Sequence, residues 1–370
     1  MRIAIDARKL RDYGIGTYVR NLLRHLARLD RTTDYVIVCH RVDEEVVSQL
    51  GPNFHALLDS SPGYSVREQV TIPADLRRAH AELFHATHYV LPPLTPCPSV
   101  VTIHDCIHLR FPQYLPHRFS YAYARSSMWV AAHRSARILT VSEASKRDIL
   151  SFFHIDEKKI DVIPNAIDER FWAPPADDEV ERVRQRYQLD APFVLYTGNI
   201  KPHKNIERLI EAFYLLKKRG FEEVKLLIIG DEISKYATLR RAVHRYKLHK
   251  HVRFFGFVQD KTLAILYRLA RVFVFPSLYE GFGLPPLEAM ASGTPVITSR
   301  VSSLPEVVGD AALLIDPYDP EAIAEAMDRV LSDAVLRADL RERGLVRARH
   351  FSWERSIGRV REIYQEVLAG

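Results

Sequence analysis

The chain has 370 residues, 47% hydrophobic and 26% charged, with 52 Lys and Arg against 46 Asp and Glu and a net charge of +6. Such a length favours two domains over one, and the composition is that of an ordinary globular protein. No run approaches the ~18 apolar residues of a membrane span, and Cys39, Cys97 and Cys106 have neither disulfide-framework nor metal-site spacing, so reduced thiols, buried or half-buried, are expected.

The positive charge suits phosphates, nucleic acid or an anionic membrane surface, and equally suits solubility alone. No long basic run or RNA-binding aromatic motif favours nucleic acid.

The chain opens on Met1-Arg2-Ile3-Ala4-Ile5-Asp6, read as a first strand and not a signal peptide, so a cytoplasmic location is expected. In the first half, strands are expected at residues 3–6, 35–39, 83–86, 100–103, 138–141 and 160–163. In the second half they are expected at residues 193–197, 225–229, 252–254, 272–275, 295–298 and 313–315. Amphipathic stretches lie between most of them, which implies parallel sheets covered by helices on both faces. The break falls near residues 164–178, where Trp172-Ala173-Pro174-Pro175-Ala176 reads as a linker. The expected domains are 1–172 and 173–352, followed by a last helix, 353–370, with Ser352 as its cap. Doubly wound domains bind ligands at the carboxyl ends of their strands, and if those edges face each other the ligand sits in a cleft.

Gly14-Ile15-Gly16 follows the first strand and opens a helix, residues 17–29. Glycines there let the backbone approach a phosphate, but the third glycine of a dinucleotide fingerprint is missing. His104-Asp105 follows a strand, which places His104 at a carboxyl edge. There it bonds either a sugar hydroxyl or a backbone carbonyl. Residues 110–134 interleave Phe119, Tyr121, Tyr123 and Trp129 with Arg118, Arg125 and Arg134. They suit a lipid headgroup or an acceptor, or an amphipathic helix with a solvated basic face. Ser142-Glu143-Ala144-Ser145 reads as a helix cap.

Gly198-Asn199-Ile200-Lys201-Pro202-His203-Lys204-Asn205 follows a strand and precedes a helix, residues 206–218. Lys204 is expected to reach a diphosphate as a point charge, with Lys201 as a second candidate; a solvated loop lysine is the alternative. Phe255-Gly256-Phe257-Val258 ends another strand and offers backbone groups and an apolar wall to a nucleobase, or is plain core.

Glu280-Gly281-Phe282-Gly283-Leu284-Pro285-Pro286-Leu287-Glu288 is the most informative stretch. A glycine loop leading into a helix aims free N–H groups and the positive end of a dipole at one spot. Proline in the first turn costs nothing, because that N–H has no helical partner. Glu280 on the strand side and Glu288 on the first helical turn then face a ligand with both phosphate and hydroxyls, which is a nucleotide sugar. The following Ser302-Ser303-Leu304-Pro305-Glu306 is expected to act only as a helix cap.

Together these sites resemble a family-4 glycosyltransferase of the GT-B fold, and the likeness spans nearly the whole chain. The Glu280…Glu288 pair with Gly281-Phe282-Gly283-Leu284 is its most specific part. Gly14-Ile15-Gly16, His104-Asp105, Gly198…Lys204, Phe257-Val258 and Ser303-Leu304-Pro305-Glu306 support it. The resemblance implies an α/β protein of two Rossmann-like domains facing across a cleft, the last helix crossing back to the first. It implies that Gly16 packs against the donor diphosphate, that His104 bonds the transferred sugar, and that Lys204 neutralises the leaving diphosphate. Backbone around Val258 holds the base; Glu280 and the amides of Phe282, Gly283 and Leu284 hold sugar and phosphate; Glu288 accepts the ribose hydroxyls. Members retain anomeric configuration and need no metal or other cofactor. One departure is Asn199, where many members carry an arginine. The Pro-His-Lys-Asn variant resembles a mannosyl-transferring branch and favours GDP-mannose over UDP- or ADP-linked donors. The implied acceptor is a glycan or lipid-linked molecule, with peripheral contact to the inner face of an anionic membrane and no nucleic-acid partner.

Two other readings stay open at this level. A nicotinamide-dependent oxidoreductase explains the alternating pattern but not the two-glutamate loop. A catalytically silent sugar-nucleotide-binding scaffold subunit explains the loop but leaves His104 and Lys204 without a task.

Overall fold

The computed structural model describes residues 1–115, 117–230 and 236–370. The chain divides into two compact units, Met1–Asn165 joined by Ser352–Gly370, and Ala166–Phe351.

The first unit holds seven strands: β1 (Arg2–Asp6), β2 (Asp34–Cys39), β3 (Phe54–Leu58), β4 (Leu83–Ala86), β5 (Ser99–Thr102), β6 (Arg137–Thr140) and β7 (Ile160–Val162). They form one sheet in the order β3-β2-β1-β4-β5-β6-β7, and every pairing is parallel. The second unit holds β8 (Phe193–Thr197), β9 (Lys225–Ile229), β10 (Val252–Phe255), β11 (Val272–Phe275), β12 (Val296–Ser299) and β13 (Ala312–Ile315). Their order is β10-β9-β8-β11-β12-β13, again all parallel. Both sheets follow the doubly wound pattern that alternating strand and helix signals predict.

Parallel strands covered on both faces need apolar side chains on both. Every side chain of β11, Val272-Phe273-Val274-Phe275, is accordingly sealed from solvent. Each such phenylalanine contributes about 2–3 kcal/mol of burial. In each sheet the order reverses once, between β1 and β4 and between β8 and β11. Loops leaving two such neighbours diverge to opposite faces and open a crevice at the carboxyl ends.

The helix Trp353–Ala369 buries Trp353, Ile357, Val360 and Tyr364, a spacing that keeps one face against its own unit. Ser352 caps it, accepting from the Arg355 amide at 3.4 Å. Ser356 Oγ donates to the Pro164 carbonyl at 2.7 Å, and Tyr364 Oη meets His85 Nδ1 at 2.5 Å. The last helix thus groups with the first unit.

Two details differ from the sequence reading. β3 was not expected, because an edge strand with no β-branched residue carries little pattern. The division falls after Asn165, ahead of the expected boundary at Trp172. Arg268 Nη2 donates to the carbonyls of Phe171, Trp172 and Ala173 at 3.1, 3.0 and 3.1 Å, which ties the apparent linker to the second unit.

Candidate functional site

The second unit's candidate residues gather on the loops leaving β8 and β11, the neighbours at its order reversal. After β8, Gly198 takes φ +147°, and a Cβ there would come within 3.2 Å of the Tyr196 hydroxyl. The chain then makes a short turn at Pro202–Lys204. Asn205 follows in the left-handed region at φ +61°. Its Nδ2 donates to the carbonyls of Pro276 at 3.0 Å and Pro317 at 2.6 Å, which fixes that backbone and starts the helix Ile206–Lys218. The Leu278 amide donates to the His203 carbonyl at 2.7 Å, so the two loops are joined directly. Lys204 is therefore not a solvated loop lysine. Its Nζ lies 2.6 Å from Glu280 Oε1 and 5.3 Å from the Phe275 ring centroid, and both partners of the pair are 12% exposed. Lys201 is exposed and Asn199 half-buried on the same loop.

After β11, Gly281 and Phe282 are buried and Gly283 turns at φ +112° to cap the helix Leu284–Ala291. A Cβ on Gly283 would sit 2.8 Å from Leu304 Cδ2, so both conformation and space demand glycine. Pro285 and Pro286 fill the next two positions and have no N–H to offer. Donors available to an anion are thereby confined to the loop and the first helical residue, around Phe282, Gly283 and Leu284.

Glu288 was expected on the first helical turn. Because the helix begins at Leu284, it falls on the second, at 3.6 residues per turn. Its carboxylate is half-buried, and Oε2 accepts from the Tyr267 hydroxyl at 3.1 Å. That hydroxyl lies 2.6 Å from Thr197 Oγ1, so the threonine donates to tyrosine and tyrosine to glutamate. Burial pushes the Glu288 carboxyl up to about 7.

The serines before the helix Leu304–Val308 were expected to be caps. Ser303 makes no capping bond to that helix; its hydroxyl reaches the carbonyls of Glu280 at 2.9 Å and Phe282 at 2.7 Å. Ser302, left-handed at φ +57°, donates to the Glu280 carbonyl at 2.5 Å and accepts from the Glu280 amide at 3.3 Å. These hydroxyls clamp the glycine loop from beneath. Glu306 does lie in the first turn of its short helix.

Val258 is buried past the end of β10, whereas Phe257 beside it is 72% exposed.

In the first unit the helix after β1 starts at Tyr13, ahead of the expected Thr17, and takes in both glycines. A Cβ on Gly16 would lie 2.6 Å from the Leu10 carbonyl oxygen, so helix and loop meet backbone to backbone there. Gly14 faces open space. His104, just past β5, is half-buried, with its ring edge-on to Tyr18 at 5.0 Å. Its Nε2 lies 3.0 Å from the Thr87 carbonyl. A carbonyl only accepts, so Nε2 carries the proton and Nδ1 is the acceptor in the neutral ring. Burial lowers the His104 pKa, with the Thr87 carbonyl acting the other way, so the neutral form is favoured. Both readings of His104 meet here: the carbonyl partner is present, and one ring nitrogen is left as an acceptor.

Sequence reasoning did not find Asn205 as the brace between loops, the Thr197–Tyr267–Glu288 relay, or the clamp by Ser302 and Ser303. The two serines carried a signal, small hydroxyls just after a strand, that fitted a cap equally well. Tyr267 lies inside the helix Asp260–Leu269 and carried none.

Residues 177–347 match the family model "Glycosyl transferases group 1", and residues 13–171 match "Glycosyltransferase Family 4". The O-antigen chain mannosyltransferase B of Escherichia coli is 37% identical over 273 residues, 74% of this chain and 71% of that protein. The O-antigen chain mannosyltransferase RfbU of Salmonella typhimurium is 29% identical over 330 residues, 85% of this chain and 86% of that one. Among solved structures, Anabaena HepE in complex with UDP and glucose superposes with a TM-score of 0.81 over 99% of this chain and 100% of its own, at 17% identity. Two doubly wound sheets of this topology are those of a GT-B glycosyltransferase. The chain belongs to glycosyltransferase family 4. Neither the oxidoreductase nor the silent scaffold is favoured by these matches. Among the described residues no helix is long and apolar enough to cross a membrane.

Proposed function

We propose that the protein transfers mannose from GDP-mannose to a glycan or lipid-linked acceptor, with retention of configuration and without a metal ion or other cofactor. The observation that carries the reading is the Lys204–Glu280 pair, 2.6 Å apart beside a glycine loop whose free amides cluster at Phe282–Leu284. An ammonium and fixed amides stabilise charge on a leaving diphosphate without reorganising. When the donor binds, Lys204 exchanges its carboxylate partner for phosphate. Glu280 is then free to accept from sugar hydroxyls.

The remaining roles are proposals that rest on the family resemblance. Asn199, Lys201 and Gly281 line the donor's phosphate and sugar, and Gly14 and Gly16 lie along its diphosphate. Backbone at Val258 holds the base, with Phe257 as an apolar wall. Glu288 accepts from the ribose. His104 accepts from a hydroxyl of the transferred sugar through Nδ1. Mannose and an O-antigen-type glycan are favoured by the names of the two curated relatives. A cytoplasmic protein that touches an anionic membrane fits the helix Arg118–Arg134, where Phe119 is 88% and Trp129 50% exposed among arginines.

The test is calorimetry of the purified protein with GDP, UDP and ADP, each alone and as sugar conjugates, followed by a transfer assay with and without chelator. Preference for GDP and GDP-mannose, with turnover in chelator, supports the proposal. Preference for UDP moves the donor to another sugar nucleotide, and strict metal dependence removes the metal-free mechanism. Failure to bind any of the three overturns the donor site.

A further inference from the structure

The second unit has an open cavity of about 710 Å³ at the amino-terminal edge of its sheet, the edge opposite the loops that carry Lys204 and Glu280. Its floor is made by residues entering β8, β11 and β12, including Pro192, Arg271 and Pro295. Helix Ala334–Ala348 and the end of helix Asp260–Leu269 form its walls. The lining carries five arginines, Arg184, Arg268, Arg271, Arg337 and Arg341, against two carboxylates, Asp190 and Glu342, an excess of three positive charges.

Two of the five are committed to the fold. Arg337 Nη1 donates to the carbonyls of Val330 and Leu331 at 2.8 and 2.7 Å, at the negative end of the helix Pro320–Ser332. Arg268 is held by the carbonyls of Phe171, Trp172 and Ala173. Its Nε is buried with no acceptor among the described residues. Burial, and then the charge of Arg341, lower its affinity for its proton, which marks two guanidinium groups close enough to repel. The other three, Arg184, Arg271 and Arg341, are exposed and make no ion pair among the described residues. All three line one cavity together with Arg268, whose guanidinium feels the charge of Arg341, and like charges gathered on one lining favour an anion there.

We propose that this cavity binds a phosphate-bearing anion, at a site separate from the donor diphosphate. Guanidinium groups match phosphate oxygens bidentately and lose little hydration in doing so. A di- or trianion offsets the excess charge of the lining. The shared chemistry is the phosphate group, borne either by a free anion or by a lipid headgroup.

The experiment uses the full chain and the double variant Arg271→Gln/Arg341→Gln, whose side chains are exposed and make no ion pair among the described residues. Inorganic phosphate is titrated while thermal unfolding and calorimetric heat are followed. A Lys204→Ala control removes the charge at the donor loop. Stabilisation by phosphate that persists in Lys204→Ala and weakens roughly tenfold or more in the double variant is the expected result. GDP binding by the double variant should match wild type. Phosphate affinity equal in wild type and the double variant, or lost in Lys204→Ala alone, overturns the proposal. In a second arm the protein is sedimented with phosphatidylglycerol or phosphatidylcholine vesicles. Pelleting with the anionic vesicles only, lost in the double variant, assigns the headgroup as the source. Phosphate binding without pelleting assigns a free anion, and neither one overturns the site.

Discussion

Lys204 and Glu280 stand 76 positions apart in the chain, yet Nζ of one lies 2.6 Å from Oε1 of the other, on the loops that leave neighbouring strands β8 and β11. The pair is nearly sealed from solvent, so neither charge is stable without the other or a substitute. In the proposed reading a bound diphosphate replaces Glu280 as the partner of Lys204, and sugar hydroxyls replace Lys204 as the partner of Glu280.

Lys204→Ala leaves the Glu280 carboxylate buried and unpaired. The expected cost is about 3 kcal/mol in denaturant unfolding. Transfer is expected to slow by roughly 10²–10³-fold, the scale for removing one fixed charge-stabilising group. Lys204→Met/Glu280→Leu should recover much of the stability and none of the rate. Full activity in Lys204→Ala would end its assignment to the diphosphate.

Ser303 holds the glycine loop through the carbonyls of Glu280 and Phe282. Ser303→Ala should cost about 1–2 kcal/mol of stability and weaken nucleotide-sugar binding, read by calorimetry. Had the hydroxyl been only a cap, stability would fall and affinity would not.

The glycines separate conformational from ligand roles. Gly283→Ala meets φ +112° and a contact of 2.8 Å with Leu304, so about 1–3 kcal/mol of stability should be lost whether or not donor is present. Gly14→Ala adds a Cβ to open space on a helix and should leave stability equal or raised by up to about 1 kcal/mol. Impaired donor binding in a fully stable Gly14→Ala protein would locate the ligand there; unchanged binding would remove Gly14 from the site.

Glu288 gives a pH signature. Its folded-state pKa, about 7, lies above the ordinary 4.5, so the folded protein holds a proton that the unfolded chain gives up. Stability attributable to this group is therefore present below about 4.5 and is lost as pH rises to 7 and beyond. Glu288→Gln, which imitates the protonated acid, should stabilise the protein by about 1–3 kcal/mol relative to wild type at pH 8, seen as a higher Tm, and scarcely change it at pH 4.5. It should also weaken nucleotide binding at pH 8. Equal Tm differences at both pH values would show that burial does not perturb this carboxylate.

Most elements were legible because their signals are local. The run Val272 to Phe275 is apolar on both faces, as a buried parallel strand must be, and it forms β11. Ser142 and Ser352 each cap a helix with the hydroxyl, as their places ahead of helical runs indicate. Glu280-Gly281-Phe282-Gly283-Leu284 announced a glycine loop and a helix start, and with the other motifs it carried the family resemblance. Missed details were those whose local signal is weak or ambiguous: the edge strand β3, the start of the first helix, and the turn on which Glu288 falls.

The sequence by itself determined the alternation of strand and helix, the glycine positions, and the residue types able to meet phosphate and sugar. These follow from side-chain periodicity and backbone freedom, which act over a few residues. Only the tertiary structure decided that Lys204 pairs with Glu280, that Asn205 braces two loops, and that Ser302 and Ser303 hold a loop instead of capping a helix. It alone gathered Arg271 and Arg341, far apart in the chain, around one cavity. Those outcomes depend on which strands become neighbours and which polar groups lose water, and no local pattern of residues encodes either.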